Sequence, residues 1–197
     1  MRRIICAAAV AALFFLGWPA ELHAQGNAYK DAKVGDWTQY KISTKSTNKR
    51  GSDISKDSQS VYIKKETVIA RNKEFVTIRV ETEAEGKAGK STEMKIPLKP
   101  DKNINSNLAK RSKVEKLGSG EEVLNIGGKK YPCKWFKQKT VAKITIGSNV
   151  VESKSWISDL VPLTHIVKAV STTKIEMPQF KLTTRTTMEL IAFGRGR

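Results

Sequence analysis

Between Phe75 and Glu83 the chain alternates. Val76, Ile78, Val80 and Thr82 fall on one side, and Thr77, Arg79, Glu81 and Glu83 on the other. Successive side chains of an extended strand point to opposite faces, so this period of two is that of a half-buried β-strand and does not fit a helix. The pattern recurs. Thr92, Met94, Ile96 and Leu98 alternate with Ser91, Glu93 and Lys95, and Ala142, Ile144 and Ile146 alternate with Val141, Lys143 and Thr145. Near the end, Leu182, Thr184, Thr186, Met188, Leu190 and Ala192 oppose Lys181, Thr183, Arg185, Thr187 and Glu189. Further strands are expected at 37–44, 59–70, 122–126, 131–138, 150–157 and 165–175.

Turn chemistry separates these segments. Gly127-Gly128 between Ile126 and Lys129 marks a hairpin, because glycine reaches positive φ without steric cost. Gly147-Ser148-Asn149 and the stretch from Glu85 to Gly89 mark two more, and Asn48 to Lys56 reads as a polar loop. Helix is expected only at about 102–111, where Pro100-Asp101 could start it and Ile104 and Leu108 sit one turn apart. About ten antiparallel strands with one or few short helices imply a mainly β fold, a single curved antiparallel sheet forming a half-barrel or open barrel. Its inward face of Val, Ile, Met, Thr and Ala could be a closed core or a concave apolar trough covered by the helix.

The N-terminus reads as an address. Arg2 and Arg3 precede an uncharged apolar run from Ile4 to Leu16, and Leu22-His23-Ala24 before Gln25 has the form of a cleavage site. The run is shorter than the roughly 20 residues that span a bilayer. Residues 1–24 are therefore expected to be a cleaved signal peptide, and residues 25–197 a single exported domain, periplasmic or secreted, without a transmembrane segment. Cys6 lacks the small-residue context of a lipid-attachment site. Cleavage would leave Cys133 as the one cysteine, so no intramolecular disulfide could form; it is either buried or available to pair between chains.

The formal net charge of +17 invites an anionic partner. Its distribution argues against nucleic acid, because Lys and Arg are spread beside Thr, Ser and Glu instead of gathered in one block. An anionic envelope surface is the polyanion within reach of an exported protein. Catalytic signals are sparse. His165 is the single histidine after residue 24, which excludes two-histidine metal motifs, and neither metal nor cofactor is expected. Ser158, Asp159 and Ser171 stand near it in sequence without a nucleophile-elbow frame, so a hydrolase built on His165 is a weaker reading than a turn histidine. Glu81, Glu83 and Glu85 share the solvent face of their strand. Gly194-Arg195-Gly196 does not continue into a phosphate-loop helix, and as part of a basic C-terminus is expected to be disordered. Trp37, Trp135 and Trp156, on three expected strands, fit core packing or the mouth of a trough.

Three stretches carry a resemblance. Val34-Gly35-Asp36-Trp37, then Gly127 to Lys134, then Trp156 to Leu163 followed by Ile166-Val167-Lys168 are similar to exported bacterial proteins of the lipoprotein-carrier (Lol-type) half-barrel superfamily. The resemblance implies a curved antiparallel sheet with helices in its concavity and acyl chains or other apolar ligands held between. It implies a strand ending near Trp156, a tight turn at Val161-Pro162 and a return strand through Val167. The chain has fewer evident lid helices than a dedicated carrier and no matching arginine in its first strand, which directs the expectation to apolar-ligand binding instead of lipoprotein transport. The expected function is non-enzymatic binding of a lipid, acylated protein or other amphiphile. Candidate trough residues are Ile42, Val76, Ile78, Met94, Ile96, Ile144, Ile146 and Met188, each of which could equally be an ordinary core position. The rivals are surface binding of anionic envelope polymers and a structural or assembly protein with a closed core.

Overall fold

A computed structural model describes residues 28–51, 56–84, 87–99, 112–144 and 147–196. They form nine strands: β1 (Trp37–Arg50), β2 (Lys56–Arg71), β3 (Phe75–Ala84), β4 (Lys87–Pro97), β5 (Ser112–Ile126), β6 (Lys129–Ile144), β7 (Gly147–Ile157), β8 (Ile166–Met177) and β9 (Phe180–Gly194). All nine join one antiparallel sheet in the order β4-β3-β2-β1-β9-β8-β7-β6-β5. The chain starts in the middle, steps outward by hairpins to β4, resumes at the opposite edge with β5, and steps back until β9 pairs with β1. The edges β4 and β5 do not pair, so the curved sheet stays open as a half-barrel.

The strands differ from the expected segments mainly in length. The segment 131–138 and the described part of 141–146 belong to one strand, β6, which extends to Ile144. β5 begins at Ser112, ten residues before the expected Glu122, through a stretch without alternation. The expected loop at 48–56 is shortened, because β1 runs to Arg50 and pairs Asn48 with Lys56. No helix occurs among the described residues, and the candidate at 102–111 lies outside them. The hairpin at Gly127-Gly128 is as expected, with both φ values positive at 58° and 78°.

Two clusters form the core, both toward the end of the sheet where β1 starts and β9 finishes. One gathers Tyr40, Ile42, Ile166, Val167, Met188 and Leu190 with Tyr131, Cys133 and Trp156. The other gathers Val68, Val76 and Ile78 with Tyr29 and Ala32 of the segment before β1. The eight-residue connection between β7 and β8 ties them together, for Val161 belongs to the first cluster and Leu163 to the second. A turn closed by the Val161 N–H donating to the Ser158 carbonyl at 3.1 Å stands at the expected place, and from Val161 to Leu163 the connection is buried. Tyr40 secures it, donating to the Ile166 carbonyl at 3.2 Å and sharing a 3.0 Å hydrogen bond with the Thr164 hydroxyl. Leu163 and His165 adopt positive φ of 62° and 58°, a conformation that L-residues adopt at a cost.

Gly194-Arg195-Gly196 is fixed, contrary to the expected disorder. Gly196 donates its N–H to Asp36 Oδ1 at 2.7 Å, and Lys33 N–H donates to Oδ2 of the same buried carboxylate at 2.8 Å. A β-carbon on Gly194 would collide with the Trp37 indole, and one on Gly196 with the Val34 carbonyl. Val34-Gly35-Asp36-Trp37 is therefore the seat of the last strand's end.

Candidate ligand-binding face

The pairing registers lay inward side chains in rows across the sheet. One row runs Ser60, Thr44, Thr186, Ser171, Ser153, Gln138. The next, toward the far end, runs Ser58, Ser46, Thr184, Thr173, Val151, Thr140. On the near side lies Tyr62, Ile42, Met188, Ala169, Ser155, Phe136. The inner face is thus divided: an apolar floor sealed by the β7–β8 connection, then a band of hydroxyls crossing five or six strands.

That band is sparsely bonded to itself. Thr44 and Thr186 share a hydrogen bond at 3.5 Å, and Ser46 and Thr184 one at 3.0 Å. Each hydroxyl carries one donor and two acceptor positions, so each pair retains capacity for a further partner. Beside the floor, β2 adds a buried carboxylate. Glu66 is 5 % exposed, meets Lys64 Nζ at 2.6 Å and accepts a hydrogen bond from Tyr29. Burial, followed by the Glu66 charge, holds the Tyr29 hydroxyl well above its ordinary pKa; burial likewise raises that of Tyr40.

The expected trough residues fall into three groups. Ile42, Val76, Ile78 and Met188 are 0–3 % exposed, within the sealed floor. Met94 and Ile96 lie opposite Ile78 and Val76 on the edge strand β4, with Met94 39 % exposed. Ile144 ends β6, and Ile146 lies outside the described residues. The register therefore brings together two groups: Ile42 with Met188, and Val76 and Ile78 with Ile96 and Met94. The hydroxyl band was missed as a feature in its own right. Its signal was present in Thr184 and Thr186, which share their alternation set with Leu182 and Met188.

Trp156 belongs to the first core cluster, and Trp135 packs against it. Trp135 and Trp156 are cross-strand partners, and Lys154 Nζ lies 4.2 Å and 4.4 Å from their ring centroids. Trp156 Nε1 donates to Glu122 at 2.8 Å, and the Trp135 ring lies over Gly118 and Gly120, where a β-carbon on Gly120 would approach within 2.9 Å. This geometry is that of packing, since indole rings, lysine and carboxylate satisfy one another. Cys133 is free and buried, and burial raises its thiol pKa, which disfavours the nucleophilic thiolate. Ser158 Oγ and His165 Nδ1 are buried and neither has a hydrogen-bond partner, so the two are not coupled as nucleophile and base. A hollow of about 330 Å³ lies near the β4 edge, lined by Gln39, Ile63, Lys65, Glu81, Glu83 and Lys90 among others, away from the hydroxyl band.

No family model and no curated protein matches the chain. Among solved structures it is similar to an S-type phycobiliprotein lyase from Guillardia theta, at 9 % identity and TM-score 0.31 over 83 % of this chain and 91 % of that one. It is similar to a DUF1329 family protein from Desulfovibrio piger, at 10 % identity and TM-score 0.24 over 86 % and 90 %. A LolA superfamily protein from Nitrosomonas europaea is similar at 5 % identity and TM-score 0.24 over 87 % and 93 %. At these scores the likenesses carry no functional argument, and the geometry stands by itself. Among the described residues no helix is long and apolar enough to cross a membrane, and no group of three His, Cys, Asp or Glu could hold a metal ion.

Proposed function

We propose that the protein is an exported, non-enzymatic binder that holds an amphiphile, a lipid or acylated molecule, against the inner face of its half-barrel. Residues 1–24 serve as a signal peptide in this reading and 25–197 as the binding domain. The observation that carries it is the division of the inner face, with apolar side chains and under-bonded hydroxyls meeting along one line on an open sheet. Transfer of an acyl chain out of water contributes about 0.8 kcal/mol per buried methylene. Hydroxyls with spare capacity suit a ligand that also carries hydrogen-bonding groups. Met94 and Ile96 supply apolar contact at the edge, while Ile42, Val76, Ile78 and Met188 form the wall behind it; Ile144 and Ile146 complete the set.

Native mass spectrometry of the protein recovered from the host's envelope fraction, followed by denaturation and lipid extraction, tests this. A lipid or acylated peptide released on unfolding is the expected result. An empty protein that also takes up neither fatty acid nor phospholipid would overturn it. The burial of Ile42, Val76, Ile78 and Met188 favours a second reading in that event, a structural protein whose inner face is simply a closed core.

A further inference from the structure

On the outward face of β1 the sequence repeats cation and hydroxyl, Lys41, Ser43, Lys45, Thr47, Lys49, and β9 answers with Lys181, Thr183, Arg185, Thr187 and Glu189. The antiparallel register sets Lys45 directly opposite Arg185 and Lys49 directly opposite Lys181. Like charges facing each other across a strand pair are destabilising, so a register that places two such pairs in sequence leaves cations in need of an anion. The protein supplies little. Among the described residues no carboxylate lies within 4 Å of Lys45, Lys49 or Arg185; Glu189, opposite Lys41, is held by Lys168 at 3.1 Å, and Lys181 meets Glu176 at 3.9 Å. All four cations of the two like-charged pairs are exposed, as are Lys41 and Lys174, the latter opposite Thr183.

Their position in the fold matters as much as their charge. β1 and β9 stand fourth and fifth in the order of nine strands. A sheet curved around its inner face carries its middle strands furthest outward on the other face, so a flat surface meets β1 and β9 first. The cations follow one another about four residues apart, roughly 13 Å along the strand, in a straight strip beyond the hollow lined by Gln39 and Ile63. Such a strip suits a charged plane better than a single threaded polymer.

We propose that the outward crest of β1 and β9 is a docking surface for an anionic phospholipid bilayer, with Lys45, Lys49, Lys181 and Arg185 as its contacts. The interleaved Thr47 and Thr183 hydroxyls offer donors to the same phosphates. Docking there leaves the inner face turned away from the bilayer and open, and the inference stands whether or not that face holds a ligand.

The test is co-sedimentation of the protein recovered from cells expressing the full-length gene with vesicles of phosphatidylcholine containing phosphatidylglycerol, compared with pure phosphatidylcholine. Binding is expected only to the anionic vesicles and is expected to weaken steeply with added salt. The quadruple variant Lys45→Gln, Lys49→Gln, Lys181→Gln, Arg185→Gln should bind at least about tenfold more weakly, since each cation near an anionic surface contributes to attraction. Its melting temperature should hold or rise, because two repulsive pairs are gone. A control with four other exposed lysines changed, Lys95→Gln, Lys129→Gln, Lys130→Gln and Lys134→Gln, should retain most of the binding. Equal loss in both variants would reduce the effect to net charge and overturn the site. So would absence of vesicle binding, or stronger retention by a soluble polyanion such as heparin than by the vesicles.

Discussion

Tyr29 and Tyr40 show how single side chains bind the inner wall together. Their hydroxyls sit in a nearly dry setting, one on the Glu66 carboxylate, the other on Thr164 and the Ile166 carbonyl. Burial raises both above the ordinary value of 10.0, with Glu66 adding to it. In the unfolded chain tyrosine loses its proton near pH 10, while the native hydroxyls keep theirs. The unfolded state then binds fewer protons, so the contribution is whole below about pH 10 and lost as pH rises through the native values. Urea denaturation between pH 9 and pH 11 should show stability falling by up to about 1.4 kcal/mol per pH unit for each tyrosine. Tyr29→Phe and Tyr40→Phe should each flatten that fall relative to the parent, and an unchanged slope would contradict the assignment. Other residue roles were beyond a sequence reading. Asp36 and Gly196 lie 160 positions apart and form one hydrogen bond; neither carries a local signal of the other. Gly118 and Gly120 look like turn residues, yet they stand in mid-strand because the Trp135 ring needs the space a β-carbon would fill.

Among the elements, β3 was legible and β5 was not. From Val76 to Val80 apolar and polar positions alternate strictly, and the strand buries Val76 and Ile78 as that period requires. β5 is an edge strand with almost every position exposed, so no apolar set marks its first half, Ser112 to Glu121. On β6 the buried positions change parity between Trp135 and Phe136, so no single alternation marks its whole length, and the strand continues through Lys139 and Thr140, where the sequence reading ended one segment before starting the next. The connection between β7 and β8 matters most for the site. Its Val161 and Leu163 seal the apolar floor, so Leu163→Ala should cost about 2–5 kcal/mol, as buried large-to-small changes do. Equilibrium urea denaturation checks this, and a change under about 0.5 kcal/mol would show that the connection does not close the floor.

At the scale of the molecule, the path from the middle outward and back brings the first and last strands, β1 and β9, together and leaves β4 and β5 as free edges among the described residues. Alternation predicts the sheet but is silent on pairing partners, so the half-barrel rested on strand count and on resemblance, while the observed order gives it directly. The inner face was legible as a face and illegible as a division. Choosing Ile, Val and Met by hydrophobicity selected the positions that pack best, four of which are the sealed floor, and passed over the Ser and Thr rows, whose members Thr44, Thr186 and Ser153 are also buried but make few hydrogen bonds within the protein. In the proposed function an amphiphile lies along those rows. Photo-crosslinking with a fatty acid bearing a diazirine near its chain end, followed by mass-spectrometric mapping of labelled peptides, tests it most directly. Adducts should concentrate on inward positions of β1, β9, β8 and β7 around Thr44, Thr186, Ser171 and Ser153, and should be displaced by excess unlabelled ligand. Labelling confined to outward positions, or none that a competitor displaces, would contradict it.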